Sequence, residues 1–385
     1  MGEKIRLSVI DTMSTPNLRE LVGEIEELGY HRFWTSEDHL STFAGTSPAI
    51  VTSFAASNTA KMRVGSAAIL LSYHSPLDVA GTFSELERLY PGRIDLGLAS
   101  AQIVGPLGVA LLDGRDRHTV ETHGRRVAEV VKLFESGLPN GNDEGFRQSV
   151  SVPEIWICGT SKTSATVAGR LGISYAFHHY MHHGLYEHAI VADDGESVMN
   201  AYRDGFKPSL FLSEPRDVVA VYGMCCESES DAVREWGPHF EKRLKPTFLG
   251  NAAQCHEQIM DIRDRYRARE LVIQSMAPSP RRRIESYHLL AREFGIGKDS
   301  AAIARDSVLL IEARQFTIQR LGDSVRISTA TKDLDIEPDA APLIQYIATY
   351  APVLRGSFYA RFAPEFDTEE LRSFLTLMQE HGVIG

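Results

Sequence analysis

Paired cysteines, net positive charge and long apolar runs are all scarce in this chain, and each scarcity excludes a class of protein. Its four cysteines, Cys158, Cys225, Cys226 and Cys255, show no C-x-x-C spacing, and two are adjacent. That is a poor arrangement for a disulfide framework or a zinc site, and it suits a reducing cytoplasm. Basic residues number 40 against 51 acidic ones, a formal charge of −11 over 385 residues. No global field is therefore offered to nucleic acid or to an anionic membrane. No apolar run approaches the roughly 18 residues a spanning helix needs, and the charged start leads into a strand-like LSVI instead of a signal-peptide core. What is present is 43% hydrophobic and 24% charged, enough for one large core and an additional module.

Short β-branched or apolar runs alternate with amphipathic helical patterns over most of the length, the signature of parallel βαβ construction. The runs are IRLSVI (5–10), RFWTS (32–36), RVGSAAIL (63–70), RIDLGLA (93–99), EIWIC (154–158), SYAF (174–177), DVVAVYGMC (217–225) and ELVIQS (270–275). Between and after them the periodicity predicts helices over 17–28, 48–59, 76–89, 117–135, 163–171, 186–203, 231–244 with 252–268, and 281–294. Eight strands each followed by a helix predict a (β/α)8 TIM barrel over residues 1–297. The open doubly wound alternative lacks a G-x-G-x-x-G after the first strand.

The tail, 298–385, reads differently. Its period-two alternation around Gly322-Asp323 predicts a β-hairpin, followed by a turn at Leu334-Asp335-Ile336-Glu337 and helices over 339–350 and 368–381. A hairpin with helices predicts a small winged-helix-like α+β module. Residues 333–385 hold Arg355, Arg361 and Arg372 against nine carboxylates, so nucleic acid is not its expected ligand.

Reactive groups in such barrels sit at the C-terminal strand ends. There the chain offers Asp11; Ser36 with Glu37, Asp38 and His39; Ser72 to His74; Ser100 with Ala101 and Gln102; Gly159 with Thr160 and Ser161; and His178, His179, His182 and His183. Acidic groups beside an imidazole can fix its tautomer and tune it for proton transfer, which marks Glu37, Asp38 and His39 as catalytic candidates. A solvated histidine beside a helix cap is the plainer alternative. Gly159, Thr160 and Ser161 join a strand to a helix start and suit a phosphate, or serve as an ordinary N-cap. The histidines at 178–183 have no carboxylate or cysteine at ligand spacing, so a wet, substrate-facing rim is expected there and no metal.

Three stretches, LGYHRFWTSEDH (28–39), MRVGSAAILLSYHSPLDVAGTFSELERLYPGRIDLGLASA (62–101) and IWICGTSKTSATVAGRLGISYAF (155–177), resemble the bacterial-luciferase-like flavin oxidoreductases in order and spacing. The resemblance covers roughly 4–295 and implies a (β/α)8 barrel, a homodimer, and reduced FMN or the 5-deazaflavin coenzyme F420, supplied by a cofactor-reducing enzyme. It implies that Asp38 and His39 stand beside the flavin ring, that Asp11, Ser66, Ala67, Ala68, Ser100, Ala101 and Gln102 line it, and that Gly159, Thr160 and Ser161 take its phosphate. His74, His178 and His179 would face substrate. Two positions depart from the family pattern: strand four ends Ala99-Ser100-Ala101 instead of a Gly-Arg-Gly-like run, and the usual second histidine is Leu40.

The C-terminal module resembles the winged-helix peptide-recognition element of ribosomal peptide natural-product enzymes, which takes a precursor peptide as an added strand. Together the two resemblances imply hydride transfer to a ribosomally made peptide, for example to a dehydroamino acid, with His39, assisted by Asp38, giving the proton. The alternative is a monooxygenase using reduced FMN and O2; the short connections expected after strands seven and eight, with no long lid insertion, argue against it. A non-catalytic flavin- or peptide-binding scaffold is the third reading.

Overall fold

The computed structural model describes residues 5–12, 17–39, 47–100, 103, 105–112, 120–139, 147–148, 151–179, 193–239, 245–296, 310–311, 316–321, 324–329, 332–350, 353–354, 362, 366, 368–381 and 383–384. The chain divides into two compact units, 1–297 and 298–385.

In the first unit eight parallel strands close on themselves: β1 (Arg6–Ile10), β2 (Arg32–Thr35), β3 (Arg63–Leu70), β4 (Ile94–Ala99), β5 (Glu154–Gly159), β6 (Ser174–His178), β7 (Asp217–Cys225) and β8 (Glu270–Ser275). They pair in that order, and β8 pairs back onto β1. The fold is a (β/α)8 barrel. Helices α1 (Leu18–Glu27), α2 (Pro48–Ser57), α3 (Pro76–Leu89), α4 (Pro106–Leu112), α5 (Val120–Ser136), α6 (Lys162–Leu171), α7 (Gly195–Asp204), α8 (Glu229–His239), α9 (Ala252–Tyr266) and α10 (Pro280–Glu293) alternate with the strands.

Local chemistry sets these boundaries. α6 starts where the Ser161 side chain accepts from the Ser164 amide, and it stops at Gly172, whose φ of 63° few other residues tolerate. α9 opens with a capping box between Asn251 and Gln254. The helix expected over 186–203 is found at 195–204, opened by Asp194 as N-cap; residues 186–192 lie outside the described ones.

The barrel interior is layered. At the N-terminal end the Arg32 guanidinium meets Asp95 at 2.7 Å and Glu270 at 2.6 Å, and it lies 5.3 Å from the Trp34 ring centroid and 4.8 Å from that of Trp156. A fully buried ion pair survives only when each charge is matched, and here carboxylates and ring faces surround the cation. Above it an apolar layer, including Ile10, Trp34, Trp156, Ala176, Ala220 and Val272, fills the barrel.

One connection differs from expectation. After β7 the chain forms α8 and a short strand, Phe248–Gly250, which pairs with the end of β7, before α9 begins. The connection after strand seven is therefore long; three residues of strand are too few for periodicity to reveal.

The second unit carries an antiparallel sheet of β9 (Thr317–Leu321), β10 (Ser324–Ser328) and β11 (Asp333–Ile336), then α11 (Ala341–Tyr350) and α12 (Thr368–Glu380). Leu321 pairs with Ser324 across the expected hairpin. The segment Leu334-Asp335-Ile336, expected as a turn, is instead the third strand, with Asp335 opposite Arg326; their side chains pair at 2.7 Å. The unit has its own apolar core, with Val325 and Ile327 from the sheet and Leu371, Leu375 and Met378 from α12.

Candidate active site at the barrel mouth

Glu37 stands just beyond the C-terminal end of β2, its side chain 1% exposed. Its backbone amide donates to the Ala68 carbonyl, which sets the loop against β3. Three donors converge on its carboxylate: His39 Nε2 on Oε1 at 2.7 Å, and His74 Nε2 at 2.8 Å and the Leu70 amide at 2.9 Å on Oε2. Burial alone would raise the Glu37 carboxyl; the hydrogen bonds from His74, His39 and Leu70 outweigh it and hold the group below the usual carboxylate range. An ionised carboxylate only accepts, so each imidazole presents its Nε2 proton to Glu37 and is left with Nδ1 for exchange. The expected partner of His39 is Asp38; the partner found is Glu37, two positions before it.

Tyr73, expected at the end of strand three, and Arg126, which the sequence did not single out, complete this edge. The Tyr73 ring meets His39 edge-on at 6.4 Å, and its hydroxyl accepts from the Ile103 amide at 2.6 Å. Arg126 on α5 donates to the Leu71 and His74 carbonyls and clamps the turn that carries His74. No short-range sequence signal marks Arg126, since it acts across the fold.

The structure places four expected positions as follows. Asp11, expected beside the cofactor, is 2% exposed and ion-paired with the equally buried Arg283 at 3.0 Å. Ser66 bonds both the amide and the carbonyl of Gly97, so its hydroxyl ties β3 to β4 instead of facing the mouth. A Cβ on Gly97 would stand 2.3 Å from the Ser66 carbonyl oxygen, so glycine is required for that approach. His179 is no wet rim residue: it is buried, with Nδ1 3.0 Å from the Tyr266 hydroxyl. His178 ends β6 on the same side as the core residue Ala176 and so points into the barrel. Burial lowers its pKa to about 4, which keeps it neutral near pH 7.

The remaining candidates stand as follows. Ala67 and Ala68 are buried core residues joined by a cis peptide bond. Ser100 is exposed at the end of β4, whereas Ala101, Gln102, His182 and His183 lie outside the described residues. Gly159 leaves space that a Cβ would fill, 2.5 Å from Ser164 Oγ, and Thr160 and Ser161 follow it into α6. At that helix start the Lys162 amide already donates to the Asp193 carboxylate at 2.9 Å.

Across the mouth, α8 brings Trp236 down onto Tyr222, the rings nearly parallel at 17° and 6.1 Å apart. Met224, Cys226, Met276 and Ala277 join them in the barrel core. Thus one side of the mouth carries the Glu37, His39 and His74 cluster and the other is apolar.

A conserved profile described as Luciferase-like monooxygenase matches residues 6–271. The chain belongs to the luciferase-like monooxygenase family. Among its relatives, the uncharacterized protein YwcH of Bacillus subtilis is 27% identical over 71% of this chain and 91% of that one. A luciferase-like monooxygenase of Escherichia coli K12 is 32% identical over 55% and 61%. The crystal structure of apo-MsnO8 superposes with a TM-score of 0.65 at 28% identity, covering 76% of this chain and 98% of that one. At 14% identity, two further structures share the fold. The oxygenating constituent of 3,6-diketocamphane monooxygenase of Pseudomonas putida, in complex with FMN, gives a TM-score of 0.57 over 76% and 98%. An F420-dependent secondary alcohol dehydrogenase gives 0.56 over 77% and 100%. No described helix is long and apolar enough to cross a membrane.

Proposed function

We propose that this member of the luciferase-like family is a reduced-FMN monooxygenase, with the ring of its cofactor over Ala67 and Ala68, beside His39. The apolar cap formed by Trp236 on Tyr222 carries this reading, because oxygen chemistry requires water to be kept from the reacting centre. The long connection after β7 that builds this cap removes the argument for an open mouth. FMN supplies the redox chemistry when bound; the chain's own part is to hold and move a proton at Nδ1 of His39 or His74, with both rings fixed by Glu37.

The local residues suit such a group. Small side chains stand at the ring position, and the Gly159 notch with the start of α6 suits a phosphate, provided that the Asp193 carboxylate yields its place.

A second reading, hydride transfer from reduced F420, draws on the F420-dependent alcohol dehydrogenase that shares the barrel. Under either reading the substrate is a peptide or small natural product. A precursor peptide would add to the sheet edge at β9, where Ile318 is 37% exposed. We further propose a homodimer through the α2 face bearing Ile50 and Phe54, a separate cofactor-reducing enzyme as partner, and residence in a reducing cytoplasm, consistent with four free, buried cysteines.

Fluorescence titration of the purified protein with FMN and, separately, with F420, followed by O2 uptake under turnover, tests the proposal. Tight FMN binding with O2 consumption is expected; tight F420 binding with indifference to FMN and O2 would replace oxygenation with hydride transfer.

A further inference from the structure

The run Arg281-Arg282-Arg283 opens α10 beside the barrel mouth, and its three guanidinium groups go three ways. Arg281 pairs with Glu285, one turn along its own helix, at 2.8 Å. Arg283, 2% exposed, meets Asp11 beyond the end of β1 at 3.0 Å and donates to the Ala277 carbonyl. Arg282 reaches out of α10: its Nη2 meets Glu235 on α8 at 3.0 Å, while Nη1 meets Glu285 at 2.9 Å. Its backbone is fixed, because the amide donates to the N-cap Ser279. The start of α10 is thus anchored on the barrel through Arg283 and holds α8 through Arg282.

Glu235 adjoins Trp236, the ring that lies on Tyr222. α8 presents Ala232 and Trp236 to the barrel core and leaves Val233 57% exposed. Its other polar contacts are internal or at its exposed start: Arg234 pairs with Asp231 on the same helix, and Gln254 donates to Glu229. Among the described residues, no other ion pair joins α8 to a neighbouring element. The Glu235 side chain is 15% exposed, and no donor among the described residues reaches its buried Oε2. A carboxylate so enclosed depends on its one cation. The Arg282 side chain is 46% exposed, so solvent and salt reach that cation.

We propose that Arg282 and Glu235 are positioning residues, whose ion pair latches α8 and so keeps Trp236 over the barrel mouth. This rests on the apolar cap proposed above for oxygen chemistry, yet the latch can be read without flavin or O2. A pair of this exposure shifts an opening equilibrium by about twofold to fivefold, which limits water entry while allowing release.

Acrylamide quenching of tryptophan fluorescence in the full chain tests it. Of the three tryptophans, Trp34 and Trp156 are fully buried within the barrel, so the accessible signal belongs to Trp236. Arg282→Gln and Glu235→Gln should each raise the quenching constant by about twofold to fivefold, both together no more than either alone, and Arg282→Lys should stay near native. Raising NaCl from about 0.01 M to about 1 M should reproduce the effect in the native protein and add nothing in the variants. The thermal midpoint should hold in Arg282→Gln, since Glu285 keeps Arg281. A native quenching constant in both Gln variants, additive effects in the double variant, or quenching indifferent to salt overturns the latch. On mixing with reduced FMN and O2, release of hydrogen peroxide should quicken in Arg282→Gln by a similar factor, and an unchanged rate beside altered quenching overturns the positioning role. Absence of O2 uptake by the native protein would instead refute the oxygenase reading alone and leave the quenching result standing.

Discussion

Glu37 Oε1 accepts from His39 Nε2 at 2.7 Å, and the same carboxylate holds His74 through its other oxygen. One buried anion thus orients two imidazoles from different loops. Glu37→Gln keeps the shape but removes the charge that fixes both rings. A loss of about 10²-fold in kcat is expected, with cofactor affinity within a few-fold of native. Because the Glu37 carboxyl lies below its ordinary range, the native pH profile should lack a limb near pH 4.5 from this group. Steady-state rates against pH check both statements, and an unaltered rate in the variant would remove Glu37 from the reaction.

His178 makes stability depend on pH. Its folded pKa is about 4 against an ordinary 6.5, so between those values the unfolded chain binds the extra proton. The stabilisation from keeping this ring neutral is complete above pH 6.5 and is lost progressively down to pH 4, about 3 kcal/mol in all. His178→Gln, which does not titrate, should flatten that part of the curve. Urea unfolding at pH 7.0, 5.5 and 4.5 measures it; parallel curves for both proteins would mean that the acid sensitivity lies elsewhere.

Asp193 occupies the helix start that the cofactor phosphate is proposed to use. Asp193→Asn removes a like charge while keeping an acceptor for the Lys162 amide. FMN affinity should rise several-fold, most clearly at low salt. Weaker binding would show that the carboxylate supports the site.

Trp236→Ala takes away the ring that lies on Tyr222. Water should then enter the apolar side of the mouth, and a larger share of the O2 consumed should appear as hydrogen peroxide instead of product. Peroxide released per substrate turned over gives the ratio; no change would place the water barrier elsewhere.

Much of the barrel is legible before folding. RVGSAAIL, DVVAVYGMC and ELVIQS become strands with the expected ends, because buried parallel strands read as continuous apolar runs bounded by charge or by Pro, Gly and Ser. The short strand Phe248–Gly250 and the helix Pro106–Leu112 carry too few residues for a period to emerge. Within the site, the neighbourhood of Glu37, Asp38 and His39 was visible as titratable groups at a strand end, but their pairing was not.

The sequence by itself determined the alternation of strands and helices, the class of barrel they close and the strand ends at which chemistry would be found, since each follows from local periodicity and capping. Only the tertiary structure decided which titratable groups meet. Glu37 and His74 lie 37 positions apart and touch because β2 and β3 are neighbours in register. Asp11 is drawn into its ion pair by Arg283, far along the chain, and His179 turns outward to Tyr266. A side chain's partner depends on how separated elements pack, and no local pattern encodes that.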